Sequence, residues 1–233
     1  MQGKVGTVGY ISEVFTSIQG EGVKVGQRQT FVRFRGCNFS CDYCDTPESQ
    51  RTKGALIIGE RVYQNPVSAD FLLEKVMADE VAITGGEPLL QIDFLIELCG
   101  KLLSEGRKIY LDTNGTLPGE LEKIIKYVDW VALDFKIPTA TGRPAQWTEH
   151  GQCLEVASQK NVFIKMVINE NLLPRELDKT CSIIERVNRK APLIIQPVFG
   201  QSVPNILEVQ RKALTRLRDV RIIPQVHKCL YLR

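Results

Sequence analysis

Long apolar runs are missing from this sequence of 233 residues. It has no stretch of about 18 consecutive apolar residues, the length that a membrane-spanning helix needs, and residues 1–6 lack the apolar core of a secretory signal. An excess of one charge is also missing, because 30 basic residues face 27 acidic residues and leave a net charge of +3. We therefore expect a cytoplasmic protein that contacts neither membranes nor nucleic acids.

Glycine and proline are present in ordinary numbers, 18 and 11 residues, which excludes collagen-like and low-complexity chains. No segment rich in Pro, Gly or Ser divides the sequence, and no internal repeat is visible. A chain of 233 residues has the size of one compact domain. We predict a single domain over residues 1–233.

Apolar β-type runs alternate with helical patterns from residue 30 onward. Such alternation predicts parallel strands joined by right-handed helical crossovers. About six strand–helix units are too few for a complete eight-stranded barrel. The predicted fold class is therefore α/β, a partial TIM-like β/α barrel of about six strands or an open sheet curved towards one, with the catalytic groups at the C-terminal strand ends.

The predicted strands are Thr30–Arg35, Glu80–Thr84, Lys108–Asp112, Trp130–Asp134, Val162–Ile168, Leu193–Pro197 and Val220–Pro224. The predicted helices are a segment capped by Ser68 that runs through Met77, and the segments Gln91–Ser104, Gly119–Tyr127, Thr148–Ser158, Pro174–Arg189 and Ile206–Leu217.

The seven cysteines are odd in number and unevenly spaced. A disulfide framework fits neither the length of the chain nor the missing signal. Three of the cysteines lie within eight residues, in the loop that follows the first predicted strand. The other four are scattered singly; we interpret Cys99 as a core residue and assign no chemical role to Cys153, Cys181 and Cys229.

The spacing CxxxCxxC at Cys37, Cys41 and Cys44 allows three thiolates within residues 36–46 to face one centre. A structural zinc site needs four ligands, and the fourth would have to come from a distance, from Cys229 or His227. Three cysteines instead suit a [4Fe–4S] cluster, because they bind three irons and leave the fourth iron open to another ligand. The loop therefore favours an iron–sulfur centre, with zinc as the alternative.

A second motif, Gly-Gly-Glu-Pro at residues 85–88, follows the second predicted strand. Two glycines allow the backbone to approach a ligand closely, and the carboxylate of Glu87 could bind an ammonium group. By itself this motif could equally be a tight turn.

Together, the cysteine loop and the Gly-Gly-Glu-Pro turn resemble the radical S-adenosylmethionine (SAM) superfamily, and the resemblance spans the whole chain. It implies that Cys37, Cys41 and Cys44 bind a [4Fe–4S] cluster whose open iron binds the amino and carboxylate groups of SAM. An electron from a donor such as flavodoxin or ferredoxin would then lead to cleavage of SAM to a 5′-deoxyadenosyl radical. The resemblance implies that SAM contacts the residues Tyr43, Cys44, Asp45, Gly85, Gly86, Glu87, Asp134, Phe135, Lys136, Gln196, Pro197, Val198 and Phe199.

Two further motifs narrow the resemblance. The sequence FTSIQGEG at residues 15–22 precedes the cysteine loop, and PQVHK at residues 224–228 lies near the end of the chain. This set is similar to the 7-carboxy-7-deazaguanine synthases, a family of homodimeric radical SAM lyases of 7-deazapurine (preQ0 and queuosine) biosynthesis. The resemblance implies ring contraction of 6-carboxy-5,6,7,8-tetrahydropterin with loss of ammonia, and Mg²⁺ bound at Thr46. It implies that the substrate contacts Ile18, Gln19, Gly20, Glu21, Arg33, Thr84, His227 and the terminal carboxylate of Arg233.

The chemistry of several of these side chains agrees with such a substrate. A pterin edge carries hydrogen-bond donors beside an acceptor, which the amide of Gln19 and the carboxylate of Glu21 could bind. The guanidinium of Arg33 could form a bidentate pair with the substrate carboxylate. The alternatives are a Gly-flanked turn for the first two residues, a surface charge on a strand for Arg33, and a frayed chain end for His227 and Arg233.

Some positions allow two interpretations even with the resemblance. Asp134 stands where some family members carry serine, so it could contact a ribose hydroxyl or Lys136. Without the resemblance, Thr46 would be a helix cap. Asp112–Gly115 is a candidate part of the polar rim of the site, and without the resemblance it would be a turn. His150 is expected on an exposed helix, with no chemical role.

Two other functions fit part of the sequence. A glycyl-radical enzyme activating enzyme also has CxxxCxxC and Gly-Gly-Glu-Pro, but it would not explain residues 19–22 or the segment around His227. An iron–sulfur or zinc-binding interaction protein without catalysis would not need both motifs intact.

Overall fold

Strands and helices alternate along residues 6–232, the part of the chain that the computed structural model describes. The strands are β1 (Val8–Gly9), β2 (Ile11–Ile18), β3 (Arg28–Phe34), β4 (Leu56–Ile58), β5 (Arg61–Tyr63), β6 (Val67–Ser68), β7 (Glu80–Gly85), β8 (Lys108–Thr113), β9 (Trp130–Asp134), β10 (Asn161–Ile168), β11 (Leu193–Pro197) and β12 (Val220–Ile222). The α-helices are α1 (Ala69–Leu73), α2 (Ile92–Ser104), α3 (Pro118–Ile124), α4 (Pro138–Thr141), α5 (Trp147–Ala157), α6 (Pro174–Asn188), α7 (Ile206–Leu214) and α8 (Val226–Cys229). Short 3₁₀ helices span Gly22–Lys24, Pro47–Gln50, Pro88–Gln91 and Ile125–Tyr127.

Ten strands form one sheet, in the order β12-β11-β10-β9-β8-β7-β3-β2-β4-β5. Within the run from β12 to β3, each strand is parallel to the next. From β7 onward, helices connect each of these strands to the following one along the chain. The predicted α/β class and partial barrel are confirmed. The barrel has seven parallel strands, one for each strand predicted from the sequence, rather than the overall estimate of about six. Parallel strands place all their C-terminal ends at one edge of the sheet.

Side chains of the parallel strands alternate between two apolar clusters. The larger cluster includes the buried faces of the helices. The smaller cluster contains one side chain from each of six neighbouring parallel strands, as the inner layer of a barrel does. Its buried members are Phe31, Ala82, Tyr110, Ala132, Phe163 and Ile194.

Strand β2 is the longest element that the sequence did not predict. Its apolar residues Ile11, Val14, Phe15 and Ile18 have the spacing of a helical face rather than the alternation of a strand. A register shift between Ile11 and Glu13, where β2 pairs antiparallel with β3, places Ile11 and Val14 on the same face, in the larger cluster. Phe15 packs against the smaller cluster on the other face, so both faces of the strand carry apolar residues.

Most predicted helices are present with their ends displaced by a few residues. Ser68 caps α1 by accepting a hydrogen bond from the Phe71 amide at 3.3 Å. This helix ends at Leu73 rather than Met77, and α7 ends at Leu214 rather than Leu217.

Three single cysteines, Cys99, Cys153 and Cys181, are buried, and Cys229 is exposed. Residues 6–232 contain no helix with the length and apolar character that crossing a bilayer requires.

The expectation that His150 is exposed is wrong. Its side chain is fully buried, stacks on the ring of Phe135 at a centroid distance of 4.7 Å, and accepts a hydrogen bond from the Lys136 amide at 3.3 Å. Burial lowers its pKa to about 4, so the imidazole is neutral at physiological pH. The polar neighbours Glu149 and Gln152 made this turn of α5 look solvated from the sequence.

Candidate active site

A cavity of about 420 Å³ lies at the C-terminal ends of the parallel strands. The loop that contains the three clustered cysteines and the segment around His227 form other parts of its wall. Six neighbouring strands each contribute a polar side chain to it. In spatial order these side chains are Arg33, Thr84, Asp112, Asp134, Lys165 and Gln196.

The cysteine loop places three free thiols on the wall of this cavity, those of Cys37, Cys41 and Cys44. Burial raises the pKa of Cys37, and it raises that of Cys41 to about 11. A cationic metal centre that binds the thiolates would offset this cost of burial. Within residues 6–232, no three His, Cys, Asp or Glu side chains are arranged to hold a single metal ion.

The turn after β7 packs directly against the start of the cysteine loop. The Gly86 amide donates to the carbonyl of Phe34 at 3.0 Å, and the Glu87 amide donates to that of Gly36 at 2.8 Å. A Cβ atom at Gly86 would collide with the Gly36 carbonyl. Gly85 has a φ of +127°, and a Cβ there would collide with the backbone of Phe34. The glycines are therefore required by this close backbone contact.

Glu87 does not line the cavity, contrary to the expectation that its carboxylate binds an ammonium group. The side chain is fully buried. It accepts hydrogen bonds from the Thr113 hydroxyl at 2.9 Å and from the amides of Asn114 and Leu89 at 2.8 and 3.1 Å. Burial outweighs these donors and raises its pKa to about 7. The carboxylate thus ties the turn after β7 to the end of β8.

One side of the cavity carries acceptors that no donor within residues 6–232 satisfies. Asp134 binds Lys136 through Oδ2 at 2.6 Å, while in this part of the chain its Oδ1 and the Oε1 of Gln196 are buried without a hydrogen-bond partner. Lys136 also donates to the hydroxyl of Tyr43 at 2.9 Å. A ligand with hydroxyl or amino donors would satisfy the two free oxygens. Two predicted SAM contacts on these strands, Phe135 and Pro197, are not part of the cavity wall. The same is true of Glu87.

Gln19 lies at the opposite side of the cavity, with its amide group oriented by other protein groups. The amide nitrogen donates to Gln29 at 2.9 Å, and the oxygen accepts from the Glu21 amide at 3.0 Å. Gln29 in turn donates to Glu80 at 2.9 Å, and Glu80 is paired with Lys24 at 2.6 Å. The Lys24–Glu80 ion pair thus fixes the orientation of the Gln29 amide and, through it, the orientation in which the Gln19 amide meets a ligand.

The Glu21 carboxylate lies near the middle of the cavity between two protein donors. Lys165 donates to one oxygen at 2.8 Å and Gln225 to the other at 2.7 Å. Burial disfavours the charge, but the interactions with Lys165, Gln225 and His227 together outweigh it and lower the pKa of Glu21 to about 2, with the largest contribution from Lys165. Lys165 was not among the site residues predicted from the sequence, although it is a single charge within the apolar run Val162–Ile168.

Arg33 lines the cavity at the end of β3, beside the stacked rings of Phe15 and Phe31. Its Nε donates to Glu13 at 2.6 Å, and its guanidinium lies 5.8 Å from the centre of the Phe15 ring. It is therefore not a solvated surface charge. Thr84, on the next strand, donates to Asp112 at 3.0 Å.

The segment around His227 is packed against the cavity rather than frayed. The Val226 amide donates to the carbonyl of Gly20 at 2.9 Å, and a Cβ atom at Gly20 would collide with the imidazole of His227. Lys228 pairs with Asp45 at 2.8 Å. Arg233, expected to bind the substrate through its terminal carboxylate, lies outside the described residues.

The remaining predicted contacts also line the cavity. Thr46 occupies the N-cap position of the 3₁₀ helix Pro47–Gln50, but its side chain makes no capping hydrogen bond. Its hydroxyl therefore does not serve as the helix cap that the sequence alone suggested. Ile18, Val198 and Phe199 are part of the same wall.

Comparison with known proteins gives consistent results. The model of the Radical SAM superfamily matches residues 31–185. The chain is 41% identical to the 7-carboxy-7-deazaguanine synthase of Geobacter sulfurreducens, over 94% of this chain and 95% of that protein. It is 37% identical to that of Archaeoglobus fulgidus, over 95% and 97% of the two chains. The crystal structure of QueE from Escherichia coli has a similar fold, with a TM-score of 0.62, 22% identity, and coverage of 94% of this chain and 95% of that one.

The buried position of Glu87 predicts a pH dependence of stability. Its pKa of about 7 lies above the ordinary value of 4.5. At a pH between these two pKa values, the folded state therefore binds more protons than the unfolded state. The free energy of unfolding should therefore fall as the pH rises from about 5 to 8. Glu87→Gln removes this titration and leaves a backbone donor without an acceptor, which costs about 1–3 kcal/mol.

Urea denaturation at several pH values measures both effects. The matched control is Glu122→Gln, at an exposed position of α3, which should keep the wild-type slope. Identical pH slopes for the wild type and Glu87→Gln would contradict the placement of Glu87.

Proposed function

The chain belongs to the radical SAM superfamily and, within it, to the family of 7-carboxy-7-deazaguanine synthases, and we propose that its cavity carries out that family's reaction. The substrate is 6-carboxy-5,6,7,8-tetrahydropterin, the product is 7-carboxy-7-deazaguanine, and ammonia is lost as the ring contracts. The observation that carries the proposal is the single cavity that joins three free thiols to a polar cluster around Glu21. Its volume of about 420 Å³ is within the range of small-molecule sites.

Cys37, Cys41 and Cys44 hold the iron–sulfur cluster, and Thr46 is a ligand of Mg²⁺. When bound, the [4Fe–4S] cluster and SAM supply the radical that starts the reaction, and Mg²⁺ supplies positive charge for substrate oxygens. The donor set fits these groups, because three thiols line one cavity and the threonine hydroxyl is not used as a cap. The hydroxyl is a hard oxygen ligand of the kind that Mg²⁺ binds.

The side of the cavity around Asp134 and Gln196 binds SAM. Asp134 Oδ1 and Gln196 Oε1, which have no hydrogen-bond partner among the described residues, accept hydrogen bonds from its ribose and adenine groups, while Lys136 orients the Asp134 carboxylate. The turn at Gly85 and Gly86 offers backbone groups to the methionine part of SAM. Further contacts come from Tyr43, Cys44, Asp45, Val198 and Phe199, which line the same cavity.

The opposite side of the cavity binds the pterin. Glu21 accepts hydrogen bonds from the donor edge of the ring, and Gln19 recognises the adjacent groups. The Nε of Arg33 is engaged by Glu13, so the Nη edge of the guanidinium pairs with the substrate carboxylate. Additional contacts come from Ile18, Gly20, Thr84 and His227, which line this cavity, and from Arg233.

Several finer assignments belong to the same proposal. We assign the whole chain, residues 1–233, to one radical SAM domain with the cluster loop at 36–46 and a substrate-binding C-terminal tail. A flavodoxin or ferredoxin supplies the electron, the protein acts as a homodimer, and its location is cytoplasmic; these three assignments rest on the family resemblance. The alternative of a glycyl-radical enzyme activating enzyme receives no support from the relatives found.

Anaerobic turnover tests the proposed function. The reconstituted protein should bind about four irons and convert 6-carboxy-5,6,7,8-tetrahydropterin to 7-carboxy-7-deazaguanine in the presence of SAM, Mg²⁺ and dithionite, as measured by mass spectrometry. Cys37→Ala should lose the visible absorbance of the cluster and all turnover, because one of its three ligands is missing.

Cys181→Ala is the matched control, since it removes a thiol that is buried away from the cavity and should keep both properties. A wild-type protein that cleaves SAM but does not convert the pterin would contradict the assigned substrate.

Arg33→Ala should raise the apparent KM for the pterin. Loss of one partner from a desolvated, charge-assisted pair costs on the order of 2–5 kcal/mol, which corresponds to an increase of about 30-fold or more. Arg33→Lys keeps the charge but loses the planar fork, so it should recover only part of the affinity. Cleavage of SAM without the pterin should persist in both variants. Unchanged pterin affinity in Arg33→Ala, measured by calorimetry with SAM present, would show that the carboxylate is bound elsewhere.

A further inference from the structure

Lys165 is the only charged residue of strand β10, whose other side chains after Asn161 are buried and apolar. Its own side chain is 8% exposed. A lysine ammonium is costly to bury without partners, so its neighbours should explain its presence. The family motifs that assign roles to other cavity residues do not include this position.

Three carboxylates from different elements surround the Lys165 ammonium. The nearest is Glu21, at 2.8 Å, in the segment after β2. Asp112, at the end of β8, and Asp134, at the end of β9, each lie at 3.5 Å. The distances show that the main partner is Glu21. Asp134 has a closer cation of its own, because Lys136 lies 2.6 Å from it.

The Glu21 carboxylate depends on this contact. Among the described residues, Lys165 is the only cation within hydrogen-bond distance of it, and the other partner, Gln225, is a neutral amide. The groups that face Glu21 from the neighbouring elements are Asp112 and Tyr110 on β8, Asp45 in the cysteine loop and His227 on α8. The two carboxylic acids disfavour a negative charge on Glu21, while His227 lowers its pKa, but less than Lys165 does.

We propose that Lys165 is a positioning residue for the pterin, which acts by fixing the Glu21 carboxylate in the orientation and charge state that binds the donor edge of the ring. The inference rests on the proposed function, because it takes the pterin as the ligand of Glu21. Lys165 also limits the movement of Glu21, since its other contacts attach it to the ends of β8 and β9. Deletion of the ammonium should therefore affect substrate binding before any chemical step.

The loss of Lys165 has a specific signature in the pH dependence of binding. In the wild type, the pKa of Glu21 is about 2, so the carboxylate stays charged between pH 6 and 8. Without the ammonium, burial and the neighbouring carboxylates raise this pKa above its ordinary value. A growing fraction of the protein then carries a neutral carboxyl as the pH falls, and a neutral carboxyl offers fewer acceptor sites to the pterin.

Anaerobic calorimetry of the SAM-loaded, cluster-reconstituted protein tests this inference with 6-carboxy-5,6,7,8-tetrahydropterin as the probe. Between pH 8 and pH 6, the Kd of the wild type should change by less than about twofold. At pH 8, Lys165→Met should bind the pterin at least about tenfold more weakly than the wild type does. Its own Kd should rise by about another tenfold between pH 8 and pH 6. Lys165→Arg keeps the cation and should keep a flat pH profile.

Two further variants distinguish positioning from a general effect on folding. In Lys165→Met/Glu21→Gln the titrating carboxyl is gone, so the additional loss of affinity at pH 6 should vanish. Lys212→Met removes a cation that pairs with Asp178 on the helical surface and should behave like the wild type. Should Lys165→Met not fold, Lys165→Gln, which is also neutral, takes its place in the same series.

The outcomes separate the inference from the function on which it rests. A pH-independent Kd in Lys165→Met, or a pH dependence that persists in the double variant, would overturn the inference while wild-type pterin binding still supports the function. A wild-type protein that binds SAM but not the pterin would overturn both.

Discussion

The close backbone contact between Gly86 and Gly36 is the constraint on which the rest of the site depends. It places the turn after β7 against the first residue of the cysteine loop, at a distance that no side chain larger than hydrogen permits. The buried carboxylate of Glu87 extends this contact to Thr113 and Asn114 at the end of β8. Three adjacent elements are thereby fixed relative to one another, so the thiols face the strand ends across one cavity.

The charges of the cavity follow from its position at the strand ends. Carboxylates from several elements meet there, and two buried lysines separate them: Lys136 beside Asp134, and Lys165 between Glu21 and Asp112. Burial disfavours the charge on both lysines, but the surrounding acids raise the pKa of each well above its usual range. Fixed charges of this kind orient ligands without reorganisation when the ligand binds.

Much of this arrangement could be predicted from the sequence, because its signals are local. Apolar runs and their spacing gave the parallel strands, and the cysteine and glycine motifs gave the loop and the turn. Signals that depend on packing were lost. Strand β2 has a register shift after Ile11 and apolar residues on both faces, so its sequence does not alternate, and the burial of His150 depends on Phe135, which precedes it by 15 residues. The direction of the Glu87 side chain and the partners of Lys165 are likewise set by strands distant in the sequence.

A crystal structure of the anaerobically reconstituted protein with SAM and 6-carboxy-5,6,7,8-tetrahydropterin tests this arrangement most directly. We expect a cluster bound by Cys37, Cys41 and Cys44, and a pterin whose donor edge lies within hydrogen-bond distance of Glu21, with Glu21 still bound to Lys165. Electron density for the pterin away from Glu21, or a cluster that lacks one of the three thiols, would contradict it.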